Sequence, residues 1–324
     1  MRQTAHALVY SGPETVTIQE VALAQPSDNE VIVRTRFSGL SRGTERLIFE
    51  GRVPRAEWTR MRAPLQIGDF PFPVRYGYAA VGEVEAGPAD LVGRNVFCLH
   101  PHQTTFTAPV AMALPLPDGT SPEIAVLGAN METALNAIWD AGDCTGQQVL
   151  IVGGGLVGCL IAFLLAQSGA SVTVTDLVPQ TGEMVHHFGV GFVSPRDVPP
   201  ETFDVTFHTS ASAAGLQTAL NALAFEGRVI ELSWYGSKPV EISLGTGFHA
   251  NRLQIISSQV GHVSPARRKT TTHRDRLTEA LACLSDPRLE VLITEEVAFR
   301  DLPDEMPRLL GPDAAGIATR IVYD

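Results

Sequence analysis

The sequence predicts an α/β protein in which a β-barrel-like domain precedes a doubly wound parallel sheet. Three observations predict it. The first third reads as short strands broken by turns. From about Ser121 onward strands alternate with helices, the pattern of a parallel sheet covered on both faces. A glycine-rich turn, VLIVGGGLVG, closes a β-branched strand and opens an apolar helix.

The early runs are ALVY, TVTIQEVAL and VIVRTRFSGL, separated by SGPE and QPSDNE turns. A helix is expected within residues 44–64, and AAVGEVEAG and NVFCL continue the strands. SPEIAVLGANMETALNAIWDA reads as one helix with Pro122 in its first turn. QVLIVG is a strand, and LVGCLIAFLLAQSG is a helix ended by Gly169. SVTVTD and DVTFHTS are strands, and AAGLQTALNALAF is a helix. RVIELSW and RLQIISSQVG complete the sheet; a helix around Arg274 to Leu284 and a last strand at ATRIVYD follow. The expected domains are residues 1–125, 126–262 and 263–324, the last returning to the first.

Composition removes several function classes. The 324 residues carry 24 Lys plus Arg against 35 Asp plus Glu, a net charge of −11. An acidic balance disfavours nucleic acid or an anionic membrane as partner. The basic stretch of Arg267, Arg268, Lys269, Arg274 and Arg276 reads as a solvated loop or helix start. Val149 to Ala166 is apolar enough to imitate a membrane span, but its clustered glycines read better as strand, turn and buried helix. Cys98, Cys144, Cys159 and Cys283 match no zinc or disulfide spacing. They are expected as buried thiols in a reducing, cytoplasmic compartment. The amino-terminal residues show no apolar leader.

The glycine turn carries the first chemistry. Gly153, Gly155 and Gly158 form a GxGxxG pattern. The first permits the tight turn, the second lets a pyrophosphate approach, and the third lets helix and strand pack closely. Leu156 and Val157 would then offer helix N-terminal N–H groups to phosphate. Asp176 ends the next strand, where a carboxylate accepts both ribose hydroxyls of NAD and repels the 2′-phosphate of NADP. Leu177, Val178 and Pro179 supply no cation, so NAD(H) is expected over NADP(H).

The order of parts, with SGLSRGTERL at 38–47, YGYAAVGEVEAG at 76–87, GRNVF at 93–97 and ETAL at 132–135, resembles the medium-chain dehydrogenase/reductase superfamily. SGLSRGTERLIFEGRVP is most similar to the branch containing bacteriochlorophyllide a dehydrogenase. The resemblance implies a GroES-like catalytic domain, a Rossmann NAD-binding domain and a homodimer joined at the Rossmann sheet edge. It places Ser41, Tyr78 with Ala79, and Ala129 where zinc enzymes hold their metal. Such residues do not make a zinc site, so no zinc is expected.

Ser41, Glu45 and Tyr78 are candidate proton donors or acceptors in or beside the former ligand positions, with Glu132 and Thr133 beside the nicotinamide by resemblance. Each also has a plain reading. Ser41 suits a helix cap, Glu45 a pair with Arg42 or Arg46, and Tyr78 barrel packing. Glu132 suits either a proton carrier or a dipole-stabilised helix start. His208, Thr209 and Ser210 end the fourth strand of the sheet, and Ser233, Trp234 and Tyr235 the fifth, facing the ligand crevice of such sheets. His100, His102, His186 and His187 read as surface or hydrogen-bonded residues. The expected function is a zinc-independent, NAD(H)-dependent oxidoreductase on an alcohol or carbonyl of a small molecule. An NADPH-dependent C=C reductase and a non-catalytic cofactor-binding protein are the alternatives.

Overall fold

The computed structural model describes residues 4–311 and 313–324. The chain divides into two compact units, Met1–Ala129 with Leu281–Asp324, and Asn130–Ala280. The first begins with β1 (Thr4–Gly12), β2 (Thr15–Ala22), β3 (Glu30–Leu40) and α1 (Arg42–Phe49). It continues through β4 (Ile67–Gly68), β5 (Val74–Arg75), β6 (Ala80–Ala86), β7 (Asn95–Cys98), β8 (Thr105–Pro109), β9 (Leu114–Pro115) and α2 (Pro122–Ala125). α3 (Gly128–Ala141) carries the chain into the second unit.

That unit holds β10 (Gln148–Val152), α4 (Leu156–Ala166), β11 (Ser171–Thr175), α5 (Gln180–His186), β12 (Gly191–Val193), β13 (Phe203–His208), α6 (Ala213–Ala222), β14 (Leu223–Glu231), α7 (Gly247–Ala250) and β15 (Gln254–Ser257). α8 (His273–Cys283) leads back to β16 (Ile293–Ala298), α9 (Leu302–Leu309) and β17 (Ala318–Val322).

The second unit is a six-stranded parallel sheet in the order β12-β11-β10-β13-β14-β15. The order reverses at β10, so ligands are expected beyond the strand ends there. β10 is continuous apolar sequence because both its faces are covered. α4 is apolar nearly all round and correspondingly buried. The apolar run 149–166 is thus a strand, a turn and an 11-residue helix. Among the described residues no helix is long and apolar enough to cross a membrane.

The first unit has two sheets. β2-β1-β5-β4 form one, and β16-β17-β3-β6-β7-β9 with β8 on β3 form the other. Val33, Val84, Val96 and Phe106 are among the inward side chains of its core. β17 pairs antiparallel with β3, so residues from opposite ends of the chain share a sheet. The fold is α/β, a GroES-like unit with a Rossmann unit.

Three boundaries differ from the sequence reading. Residues 121–141 are two helices, because the Leu127 N–H turns back to the Ile124 carbonyl and tightens the chain. The helix read through Phe225 stops at Ala222, since Leu223 turns extended and enters β14. Parallel pairing of Phe203 with Leu223 overrides local helix propensity there. Residues 263–280, expected in the C-terminal return, group with the parallel-sheet unit. Arg276 ties them to α3, as described below.

Candidate active site

Gly153 adopts φ +109°, a conformation open to glycine and strained for other residues. A Cβ at Gly158 would lie 2.0 Å from the Gly153 carbonyl oxygen, so α4 meets the turn backbone to backbone. Gly155 caps α4 and has open space on its Cβ side. Helix geometry leaves the Leu156 and Val157 amides without intrahelical acceptors. The turn therefore fits a pyrophosphate. Thr209 braces it, its Oγ1 donating to the Gly153 carbonyl at 2.7 Å.

Asp176 is half-buried just past β11. Its Oδ2 accepts from the Gly154 N–H at 2.6 Å and its Oδ1 from the Val178 N–H at 2.8 Å. The carboxylate is fixed against the glycine turn and retains lone pairs for a ribose. Leu177 and Val178 beside it are exposed apolar residues.

At the C-terminal ends of β13 and β14 lies a polar cluster that the sequence reading only partly gathered. Ser210 Oγ is 2.7 Å from His208 Nε2, and His208 Nδ1 is 2.7 Å from Glu231 Oε2. The Ser233 N–H donates to Glu231 Oε1 at 2.7 Å, and Tyr235 OH donates to Oε2 at 3.2 Å. Burial and the Glu231 charge push the Tyr235 phenol well above its ordinary value. Trp234 is half-buried in the same segment. His208, Ser210, Ser233 and Tyr235 were legible as strand ends, but Glu231 was not.

Glu132 is buried on α3, and Arg276 Nε donates to its Oε1 at 3.0 Å. Arg276 also donates to Asn136 Oδ1 at 2.5 Å and to the carbonyls of His262 and Val260. Its side chain is 1% exposed, the reverse of the solvated residue read from the basic stretch. Arg267 of that stretch lies over the Trp139 ring, 4.5 Å from its centroid. Burial raises the Glu132 carboxyl, and Arg276 opposes that only in part. Thr133 is half-buried on the same helix.

In the first unit the structure brings Ser41, Glu45 and Tyr78 together. Tyr78 OH donates to Ser41 Oγ. The Ser41 hydroxyl does not cap α1. Burial pushes the Tyr78 phenol up to about 12, so it donates without ionising at ordinary pH. Glu45 pairs with neither Arg42 nor Arg46; their guanidinium groups reach the backbone carbonyls of Gly316 and Leu310 respectively. Instead its carboxylate, 0% exposed, accepts from the Ser41 N–H at 2.8 Å, Tyr10 OH at 2.6 Å and His102 Nε2 at 3.0 Å.

A carboxylate only accepts, which assigns the His102 proton to Nε2. Nδ1 then accepts from Ser38 at 2.8 Å, and Ser38 from Tyr323 at 2.9 Å. Glu45 is enclosed behind Ser41 rather than presented to a ligand. Tyr10, Ser38 and Tyr323 were not anticipated, because strands distant in sequence deliver them.

His100 and His102 are both buried between β7 and β8. His100 stacks on Phe106 at 3.8 Å and burial lowers it to about 3, while His102 joins Glu45. His186 and His187 are exposed. All four cysteines are free thiols, three of them buried.

The family's zinc does not suit these residues. The ligand positions offer a serine hydroxyl, a tyrosine phenol and the methyl of Ala129, where zinc takes thiolate, imidazole or carboxylate. Among the described residues no three His, Cys, Asp or Glu side chains cluster as a metal set.

Residues 151–222 match the family of NAD(P)-binding Rossmann-like domains. D-guloside 3-dehydrogenase of Escherichia coli K12 is 27% identical over 282 residues, covering 78% of this chain and 80% of its own. The 2-desacetyl-2-hydroxyethyl bacteriochlorophyllide A dehydrogenase of Cereibacter sphaeroides is 27% identical over 281 residues, covering 79% and 82%. The crystal structure of Escherichia coli L-idonate 5-dehydrogenase superposes with a TM-score of 0.81 at 17% identity, covering 100% of this chain and 99% of that one. The chain thus carries an NAD(P)-binding Rossmann-like domain and is similar over most of its length to NAD(P)-dependent dehydrogenases of the medium-chain, alcohol- and sugar-acting type.

Proposed function

We propose that the protein is a zinc-independent, NAD(H)-preferring dehydrogenase that interconverts an alcohol and a carbonyl on a small, hydroxyl-rich molecule. The observation carrying the cofactor choice is Asp176, pinned by two backbone N–H groups and followed by apolar residues without a cation. A 2′-phosphate would meet a fixed negative charge there. Gly153, Gly155, Leu156, Val157 and Gly158 hold the pyrophosphate, with Thr209, Ser210, Ser233 and Trp234 at the strand ends. The bound cofactor supplies or accepts the hydride. Names of the sugar-acting and chlorophyllide-acting relatives support a hydroxyl substrate without choosing one.

Ser41 and Tyr78 act at the substrate oxygen. Tyr78 donates a hydrogen bond to Ser41 Oγ, which leaves the Ser41 hydroxyl hydrogen free to be donated to the substrate oxygen. Glu45 positions Ser41 through its N–H, and Glu132 orders α3 around Thr133. The largely exposed edge strand β15 supports a homodimer joined there, and the free thiols support a reducing compartment.

Fluorescence titration with NADH and NADPH tests this reading. NADH is expected to bind at least tenfold more tightly. Asp176→Ala should weaken NADH by roughly 10- to 100-fold, the worth of a charged hydrogen bond of about 1.5–3 kcal/mol. It should also narrow the gap to NADPH. A wild-type preference for NADPH overturns the assignment. Elemental analysis of the purified protein should find zinc far below one per chain; one zinc per chain defeats zinc independence.

A further inference from the structure

The Ser210–His208–Glu231 chain has no part in the roles assigned above to Ser41 and Tyr78, and its hydrogen-bond polarity can be worked out. Glu231 only accepts, so His208 Nδ1 carries the proton it shares at 2.7 Å. Nε2 then holds a lone pair, and Ser210 donates to it at 2.7 Å. Ser212, whose Oγ accepts from the Gly215 N–H, donates to Ser210 at 3.0 Å. Ser210 Oγ thus keeps one lone pair. It is exposed, whereas His208 is 0% exposed. It also adjoins the glycine turn: a Cβ on Gly153 would sit 2.8 Å from the Ser210 nitrogen.

We propose that Ser210, His208 and Glu231 form a proton relay that serves a hydroxyl of the bound ligand. This rests on the dehydrogenase reading. In alcohol oxidation the ligand O–H bond breaks and its proton passes to Ser210 Oγ. The Ser210 proton moves to His208 Nε2, and a bound oxidised nicotinamide cofactor would take the hydride from the alcohol carbon. His208 becomes an imidazolium paired with Glu231; reduction runs the same steps backward. Ser210 touches the ligand, and His208 and Glu231 act through it. The titratable groups facing the ring are Glu231 from β14 and Tyr235 beyond it. Strand β10 and helix α6 contain none.

A ligand hydroxyl that donates to Ser210 requires neutral His208, so binding must release protons wherever His208 is partly protonated. Calorimetric titration with NAD⁺, in buffers of different ionisation enthalpy between about pH 6 and 8, counts them. A second arm adds a panel of polyols to the NAD⁺ complex. The wild type is expected to release protons on binding at one or more pH values in this range. His208→Gln and Ser210→Ala should still bind NAD⁺ but release none. Ser210→Ala leaves the buried ring in place if His208→Gln fails to fold. Release only with a polyol supports the relay, whereas release with NAD⁺ alone places Ser210 on a ribose hydroxyl and overturns the oxidation step. Binding without release in both arms, or equal release in the variants, overturns the relay alone. No binding of NAD⁺ overturns the dehydrogenase reading and the relay with it.

Discussion

Glu45→Ala is expected to destabilise the protein by about 3–5 kcal/mol, the usual cost of breaking a buried charged pair from one side. The carboxylate is wholly enclosed and accepts from Tyr10, His102 and the Ser41 N–H. Alanine leaves three buried donors facing an apolar hole. At roughly 2–4 °C per kcal/mol the melting temperature should fall by on the order of 10 °C. Tyr10→Phe removes one donor and is expected to cost only about 1 kcal/mol. Thermal or urea unfolding of the two variants checks this. A Glu45→Ala loss below that of Tyr10→Phe would show that the network contributes little.

Arg276→Met should cost a similar amount, about 3–5 kcal/mol, because it strands Glu132, Asn136 and two backbone carbonyls. Here the deficit depends on pH. Burial already holds the Glu132 carboxyl above its ordinary value in the folded protein. A raised carboxyl stabilises fully below the unfolded value, about 4.3, and that contribution disappears as pH rises through the folded value. Arg276 is the main group pulling Glu132 down, so removing it raises the folded value further. The variant should therefore lose more stability at about pH 7.5 than at about pH 5. Adding Glu132→Gln should recover much of the neutral-pH loss, since no buried charge then remains unpaired. A deficit that is equal at both pH values argues against a buried, charged Glu132.

Both networks show why the site was only partly legible in the linear chain. SGLSRGTERL marked Ser41 and Glu45, but nothing local says that Glu45 turns inward. Its partners Tyr10 and His102 arrive on β1 and on the segment between β7 and β8. Arg276 lies 144 positions from Glu132 and sits in a stretch whose charge density reads as solvated. Histidine 208 ended a visible strand, yet its meaning depends on Glu231 from the neighbouring parallel strand.

What the sequence by itself determined was everything set by short-range period and backbone necessity. The parallel-sheet strands followed from β-branched runs, α4 from its apolar run, and the tight turn between β10 and α4 from its glycines. Tertiary structure alone decided where α6 yields to β14, which carboxylates are enclosed, and which hydroxyls remain free to act. These depend on burial and on partners tens to hundreds of residues away. Removing water there makes each polar group depend on a partner that no local pattern names.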